Sequence, residues 1–242
     1  AMAGACGKRF KPAPPLAPVA MSLKLAVAHF TNGADVAFVQ GKYEATFLLV
    51  LGKAKQLSFA VMGWVTEEQW AAFCLEVLPQ CASLEELNLG GNANLKVDIV
   101  ELVAKLPPTL KGLGLTDTGC FGDAGKADWA RLPALEGVGL SDTKVTGDIV
   151  ELVAKLPPTL KVLNLYDTGC FGEGTKAAWT CLPSLQMLHL DGVKVAGSKQ
   201  ELVSSGCRAR TARCATRSPT PRPEPSLPPP FLANSPRIIL RH

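Results

Sequence analysis

The stretch DIVELVAKLPPTLK at residues 98–111 returns letter for letter at residues 148–161, and DTGCFG follows each copy, at 117–122 and 167–172. Self-similarity at a fixed spacing marks stacked structural repeats. The 50-residue period divides again, because a leucine pattern recurs at about half that spacing: LEELNL from Leu84, LKGLGL from Leu110, LEGVGL from Leu135, LKVLNL from Leu160 and LQMLHL from Leu185, with starts 26, 25, 25 and 25 residues apart. In each hexamer the apolar residues fall at positions 1, 4 and 6, and positions 4 and 6 alternate with polar or small residues at 5 and 7. This is the pattern of a short strand with one buried face. In LEGVGLSDTKVTGDIVELVAKLPPT (135–159) the strand is followed by Ile149, Leu152, Val153 and Leu156, spaced as one face of a helix. Asp148 can cap that helix, and Pro157 with Pro158 cannot continue it. Each unit is expected to be a strand, a turn and a short helix, stacked on the next.

LEELNLGGN at Leu84–Asn92 resembles the LxxLxLxxN signature of the leucine-rich repeat family. VTGDIVELVAKL resembles the plant-type variant, LxGxIPxxLxxL, with Val150 in place of its proline. The resemblance covers about residues 57–203. It implies an α/β solenoid, a right-handed coil with a concave parallel β-sheet and short helices on the convex side. It also implies the family's common role, recognition of a protein or peptide on the concave sheet. The asparagine column reads Asn92, Thr118, Thr143, Thr168 and Val193. A threonine hydroxyl is therefore expected to donate to the neighbouring turn's carbonyl, and Val193, which cannot, to mark an open end of the sheet.

The ends differ in character from the repeats. Residues 1–20, with Pro12, Pro14, Pro15 and Pro18, read as a flexible lead-in. The apolar runs of residues 21–56, broken by TNG and GKYE, read as a β-rich N-terminal cap, with a separate small domain as the alternative. Residues 57–205 are assigned to the repeats, opening on a degenerate unit from Leu57 whose helix starts at a Thr66–Gln69 capping box and ends near Pro79. From residue 206 the tail carries seven Arg and one Glu, a net +6, leaving 18 basic and 20 acidic residues elsewhere. Such an Arg- and Pro-rich stretch is expected to be disordered. Its functional readings are phosphate contact or a proline-rich ligand.

Strand positions 2, 3, 5, 7 and 8 of each unit face outward. Position 2 reads Glu85, Lys111, Glu136, Lys161 and Gln186, a ladder of alternating charge that sets register and solubility rather than affinity. Position 8 places Asp117, Asp142 and Asp167 on consecutive rungs. Either each aspartate bonds N–H groups of its own turn, or the three form an acidic stripe for a basic ligand. Asn164, Tyr166, Met187 and His189 make a varied, partly aromatic patch of the kind that suits an interface. The candidate partner-binding residues are therefore Asp117, Glu136, Asp142, Lys161, Asn164, Tyr166, Asp167, Met187 and His189. Gly112, Gly114, Gly137 and Gly139 leave the second and third units bare, which either admits a bulky partner or has no functional meaning.

Little in the chain suggests chemistry. No phosphate-loop, metalloprotease or nucleophile-elbow motif occurs, and the three histidines stand alone in sequence. GCFGDAG and GCFGEG are read as turns leading into each helix rather than phosphate loops. Cys120 and Cys170 align with Val145 and Val195 as inward residues; two rungs apart, about 9.6 Å, they exceed the roughly 7 Å limit for a bridge. No cysteine spacing suggests zinc. A non-catalytic, monomeric, cytoplasmic protein-binding module without cofactor or metal is expected, with no transmembrane segment and with nucleic acid a distant competitor. The alternative is a recognition fragment of a larger receptor-like, extracellular or signalling protein.

Overall fold

The computed structural model describes residues 15–16, 18–28, 34–62, 67–197, 201–202 and 210–211. All five hexamers are strands: β2 (Glu86–Asn88), β3 (Gly112–Gly114), β5 (Gly137–Gly139), β7 (Val162–Asn164) and β9 (Met187–His189). With β1 (Gln56–Ser58) before them and β11 (Arg210–Thr211) after, they form one long parallel sheet in the order β1-β2-β3-β5-β7-β9-β11. A second parallel sheet runs along the coils, ordered β10-β8-β6-β4 from β10 (Lys194–Ala196), β8 (Gly169–Glu173), β6 (Lys144–Asp148) and β4 (Phe121–Asp123).

Register fixes the core. Leu57, Leu87, Leu113, Val138, Leu163 and Leu188 are paired rung to rung and buried. The leucines at positions 1 and 6 form parallel columns beside them, joined in one apolar cluster. Burying one such side chain contributes about 2 kcal/mol, and no coil can do this without its neighbours.

The flank opposite the long sheet explains the 50-residue period. The identical blocks form α4 (Ile99–Lys105) and α5 (Ile149–Lys155). The coils between them carry no α-helix, only pairs of 3-10 turns at Ala124–Lys126 with Trp129–Arg131 and at Gly174–Lys176 with Trp179–Cys181. The expectation of one short helix per unit is corrected: from Leu84 to Pro183 only every second coil carries an α-helix. Buried Trp129 and Trp179 fill the space left by the helix, their indole N–H groups donating to Ala124 and Gly174 carbonyls at 2.8 and 2.7 Å.

Each part of the repeated block has a task. Asp98 and Asp148 accept the N–H of Val100 and Val150 at 2.7 and 2.8 Å, capping the helices. Both helices end at the lysine before LPP. Thr109 and Thr159 then donate to the carbonyls of Leu84 and Leu135, the residues that open the same unit one full turn earlier, both at 2.8 Å. GCFG lies in the strands of the second sheet rather than in a turn leading to a helix. Its second glycine, and Gly147 of KVTGD in the coil between, are demanded by stacking: Gly122, Gly147 and Gly172 have φ of +98°, +138° and +112°, and a Cβ there would lie 2.7–2.8 Å from carboxylate oxygens of Asp98, Asp123 and Asp148.

The threonine column behaves differently from expectation. Thr118, Thr143 and Thr168 donate to Leu115, Leu140 and Leu165 of their own coil at 2.7, 2.6 and 2.8 Å, not to the neighbouring turn. One hydroxyl proton reaches one carbonyl. Asn92, with two amide protons, bonds both Leu89 of its own coil at 2.6 Å and Phe59 of the preceding one at 2.9 Å.

Both ends require correction. The segment read as a β-rich cap contains two helices, α1 (Pro18–Ala26) and α2 (Ala34–Val50), and only then β1. Nearly continuous apolar runs do not distinguish strand from helix. Gly41 sits inside α2 in open space, and TNG lies outside the described residues. The lead-in boundary at residue 20 falls inside α1. Phe47 and Leu51 extend the solenoid core, joining one apolar cluster with Trp70 and Phe73 of a helical stretch made of α3 (Glu67–Ala72), a π turn (Phe73–Val77) and a 3-10 turn (Leu78–Gln80). Thr66, proposed as its cap, is outside the described residues. At the far end, β11 pairs with β9, so the sheet does not stop at the Val193 coil, and Arg210–Thr211 of the tail is a strand rather than disordered. Apart from Pro15 and Leu16, the latter's backbone bonding the Tyr43 hydroxyl, the rest of the lead-in and tail lies outside the described residues.

Replacing Gly147 by alanine tests the stacked cap. A side chain there faces both a left-handed backbone and Asp123 Oδ1 at 2.7 Å, so urea unfolding is expected to show a loss of about 2–4 kcal/mol.

Candidate functional site

The outward face of the long sheet is organised in columns. On position 2, Lys55 and Lys111 bracket Glu85 at 2.9 and 2.7 Å, and Lys161 meets Glu136 at 2.7 Å. Lys55, which the sequence reading omitted, extends the ladder one coil back. Hydrogen bonds from Lys111 and then Lys55 hold the Glu85 carboxyl below its ordinary range, and the bond to Glu85 raises Lys111. Glu136 and Lys161 thus satisfy each other, and both side chains are partly exposed.

Position 8 has a backbone cause. Val61, Gly91, Asp117, Asp142, Asp167 and Gly192 all occupy it, with φ of +57°, +71°, +54°, +55°, +50° and +77°. Each of Val61, Gly91, Asp117, Asp142 and Asp167 donates its N–H to the position-7 carbonyl of the following coil at 2.8–2.9 Å. The turn requires a left-handed residue; aspartate and glycine tolerate it best, and Val61 takes it in the first coil at a steric cost. The aspartate column therefore follows from conformation, although Asp117, Asp142 and Asp167 are exposed residues.

Positions 3, 5 and 7 shape the surface. Gly112 pairs with Gly137 and Gly114 with Gly139, so β3 and β5 present a floor without side chains. A Cβ on Gly137 would meet nothing within 4 Å. Along the next two strands stand Val162 and Asn164, then Met187 and His189, with Tyr166 one step beyond β7. Tyr166 and Met187 are 46% and 42% exposed, large values for side chains of their size. Asn164 is fixed between its acceptance of the Tyr166 N–H at 3.0 Å and its donation to Ser141 Oγ at 3.4 Å; Ser141 in turn bonds Thr116 at 3.0 Å. Asn164, Tyr166, Met187 and His189 are thus brought together on adjacent strands. Asp117, Asp142 and Asp167 line one margin and Glu136 with Lys161 the other.

Parallel strands in one register, one leucine hexamer per rung, decide the architecture. This chain folds as a leucine-rich repeat solenoid. No protein-family model matches it, and no curated protein matches it. Among solved structures, 57% of the chain is similar to the leucine-rich repeat ectodomain of the Arabidopsis thaliana receptor kinase GASSHO1/SCHENGEN3, solved in complex with CASPARIAN STRIP INTEGRITY FACTOR 2, at 19% identity and a TM-score of 0.41. It is similar to the plant peptide hormone receptor RGFR1, solved with RGF2, at 17% identity, 57% coverage and a TM-score of 0.36. A Leptospira interrogans leucine-rich repeat protein aligns with 55% of the chain at 18% identity and a TM-score of 0.20. The chain spans only 19% and 29% of the length of the two plant chains.

Cysteine chemistry is suppressed in the core. Cys74, Cys81, Cys120 and Cys170 are buried free thiols, and Cys181 is exposed. Burial pushes Cys74 and Cys120 up to about 12 and Cys81 to about 11, and raises Cys170. Among the described residues no group of three His, Cys, Asp or Glu could hold a metal ion, and no helix is long and apolar enough to cross a membrane. Sequence reading missed Trp129 and Trp179, although KADWARLP and KAAWTCLP repeat 50 residues apart. It also missed Phe121 and Phe171, which are exposed on the second sheet.

Two measurements follow. Asp117→Gly is expected to leave thermal stability nearly unchanged, whereas Asp117→Val lowers it by about 1–2 kcal/mol; equal losses would point to a carboxylate role instead. Because the buried thiols hold their protons to higher pH in the folded state than in the unfolded one, stability is fully present below about pH 8.5 and falls as pH rises toward 12. Replacing Cys120 by alanine or valine should reduce that alkaline loss in melts recorded from pH 8 to 11.

Proposed function

We propose that this solenoid is a non-catalytic recognition module that takes a protein or peptide along the outward, concave face of its long sheet. The observation that carries this reading is a step in the surface. The glycine floor of β3 and β5 lies beside a raised wall of Val162, Asn164, Tyr166, Met187 and His189. An extended segment lying across the floor can approach the strands closely, while its side chains pack on Tyr166 and Met187. Aromatic residues and methionine are enriched in the buried centres of interfaces, and charged groups are placed at their rims. The columns match that plan, with Asp117, Asp142 and Asp167 on one rim and the Glu136–Lys161 pair on the other. The wall also needs little ordering on binding, because Asn164 already bonds Ser141 and the Tyr166 backbone.

Selection of a random peptide library displayed on phage against the immobilised chain tests this directly. Peptides that bind the parent chain are expected to lose at least tenfold in affinity with Tyr166→Ala or Met187→Glu, and to be blocked by Gly137→Trp, which fills the floor. Enriched peptides indifferent to all three substitutions, or no enrichment in repeated selections, would contradict the reading.

A further inference from the structure

The long sheet ends on a strand of unlike composition. β11 pairs with β9 in parallel, Arg210 beside Met187 and Thr211 beside Leu188. In the other six strands the register position of Thr211 is filled by Leu57, Leu87, Leu113, Val138, Leu163 and Leu188. Arg208 and Arg213 likewise stand in sequence where the five hexamers put leucine. The leucine stacking that holds the other strands is therefore missing from β11, and something else keeps this segment on the sheet.

The face beside it is charged in the opposite sense. Outward positions 2, 3, 5, 7 and 8 from Lys55 to Gly192 carry seven acidic and three basic residues. Positions 2 and 3 balance, and their lysines bond Glu85 and Glu136. Positions 7 and 8 carry the whole surplus of −4, in Asp117, Asp142, Asp167 and Asp191. The left-handed turn fixes the backbone at position 8 but not the charge, since Gly91 and Gly192 meet it in flanking coils. Residues 208–222, to which β11 belongs, hold five Arg and no acid.

Direction and length agree with this contrast. A strand parallel to β9 heads toward positions 7 and 8, and continued in the register of β11 the chain reaches position 8 at residue 215. From that rung back to Asp117 is four rungs, about 19 Å. Residues 215–222, ATRSPTPR, span about 22 Å in the polyproline form that Pro219 and Pro221 favour. We propose that the concave face is covered in cis: the chain's own segment 212–222 runs from β11 along the Asp191–Asp117 margin, and an external partner binds by displacing it. The inference rests on reading this face as the recognition site, and it names the ligand chemistry the face takes, an extended basic segment containing proline. Exposed ion pairs are individually weak, but a short tether holds the segment at millimolar effective concentration, so weak contacts suffice.

Trypsin, which cuts after Arg213 and Arg217, reports on the segment in the full chain. At low salt, cleavage there should be at least tenfold slower than in a synthetic peptide of residues 206–222, and independent of protein concentration. Asp117→Asn, Asp142→Asn and Asp167→Asn together keep residues that tolerate the left-handed turn, and should bring cleavage to within about twofold of the peptide's. Raising salt to about 0.5 M should do the same. Added in trans, the peptide should bind the full-chain variant Arg213→Gln/Arg217→Gln/Arg222→Gln at least tenfold more tightly than the parent, whose own segment occupies the site. Cleavage as fast as in the free peptide, protection that the three asparagines leave intact, or equal peptide affinity for parent and arginine variant overturns the inference. Protection that grows with protein concentration would assign the face to the segment of a second copy, and overturns it as well. None of these readouts uses the library peptides, so this inference and the recognition reading fail independently.

Discussion

Everything in this molecule depends on each coil covering the leucines of the next. A three-residue strand and a two-turn helix are far below the size that is stable alone. What makes them persist is that the position-1, 4 and 6 side chains of one coil close over those of its neighbour, while N–H groups such as those of Leu89, Leu115 and Leu140 bond carbonyls one rung on. The interaction is local in sequence, about 25 residues, yet continuous from Leu57 to Leu188. Its second requirement is a turn that brings the chain back at constant pitch. The left-handed residue at position 8 and the glycine beneath each capping aspartate supply it.

Those constraints decide how the surface can be read. Three aspartates on consecutive rungs look like a binding stripe until their φ values are known, and then they are a backbone requirement that glycine meets equally well in flanking coils. The charge ladder is internally paired. What remains unexplained by folding is the combination of four glycines with Tyr166, Met187 and His189, and the apolar face of the first two helices. Neither contributes to the stacked core, and each leaves large side chains or bare backbone in water.

The solenoid was legible in the letters because its signal is periodic: Leu110, Leu135 and Leu160 repeat at the pitch of the coil, and Asp148 and Pro157 punctuate a helix wherever they fall. The N-terminal helices were not, because LKLAVAHF and ATFLLVLG are apolar without a period, and Gly41 suggested a break that a solvated helix position does not require. The threonine column misled through a count of protons, since a hydroxyl cannot serve two carbonyls as Asn92 does. Alternate coils were treated as equivalent because leucine spacing is the same in both; the difference lies in Trp129 and Trp179, single residues that replace a helix. Of the candidate site, the grouping of Asn164, Tyr166, Met187 and His189 followed from register alone. The reason for the aspartates required dihedral angles.

Residue-resolved amide hydrogen exchange tests the central claim most directly. If stacking alone holds the coils, the amides of Leu89, Leu115 and Leu140, each bonded to the following coil, should exchange only through an opening they share, with one common free energy and all slowed by orders of magnitude. Separate opening energies for each coil, or exchange of these amides near the rate of an unfolded chain, would contradict it.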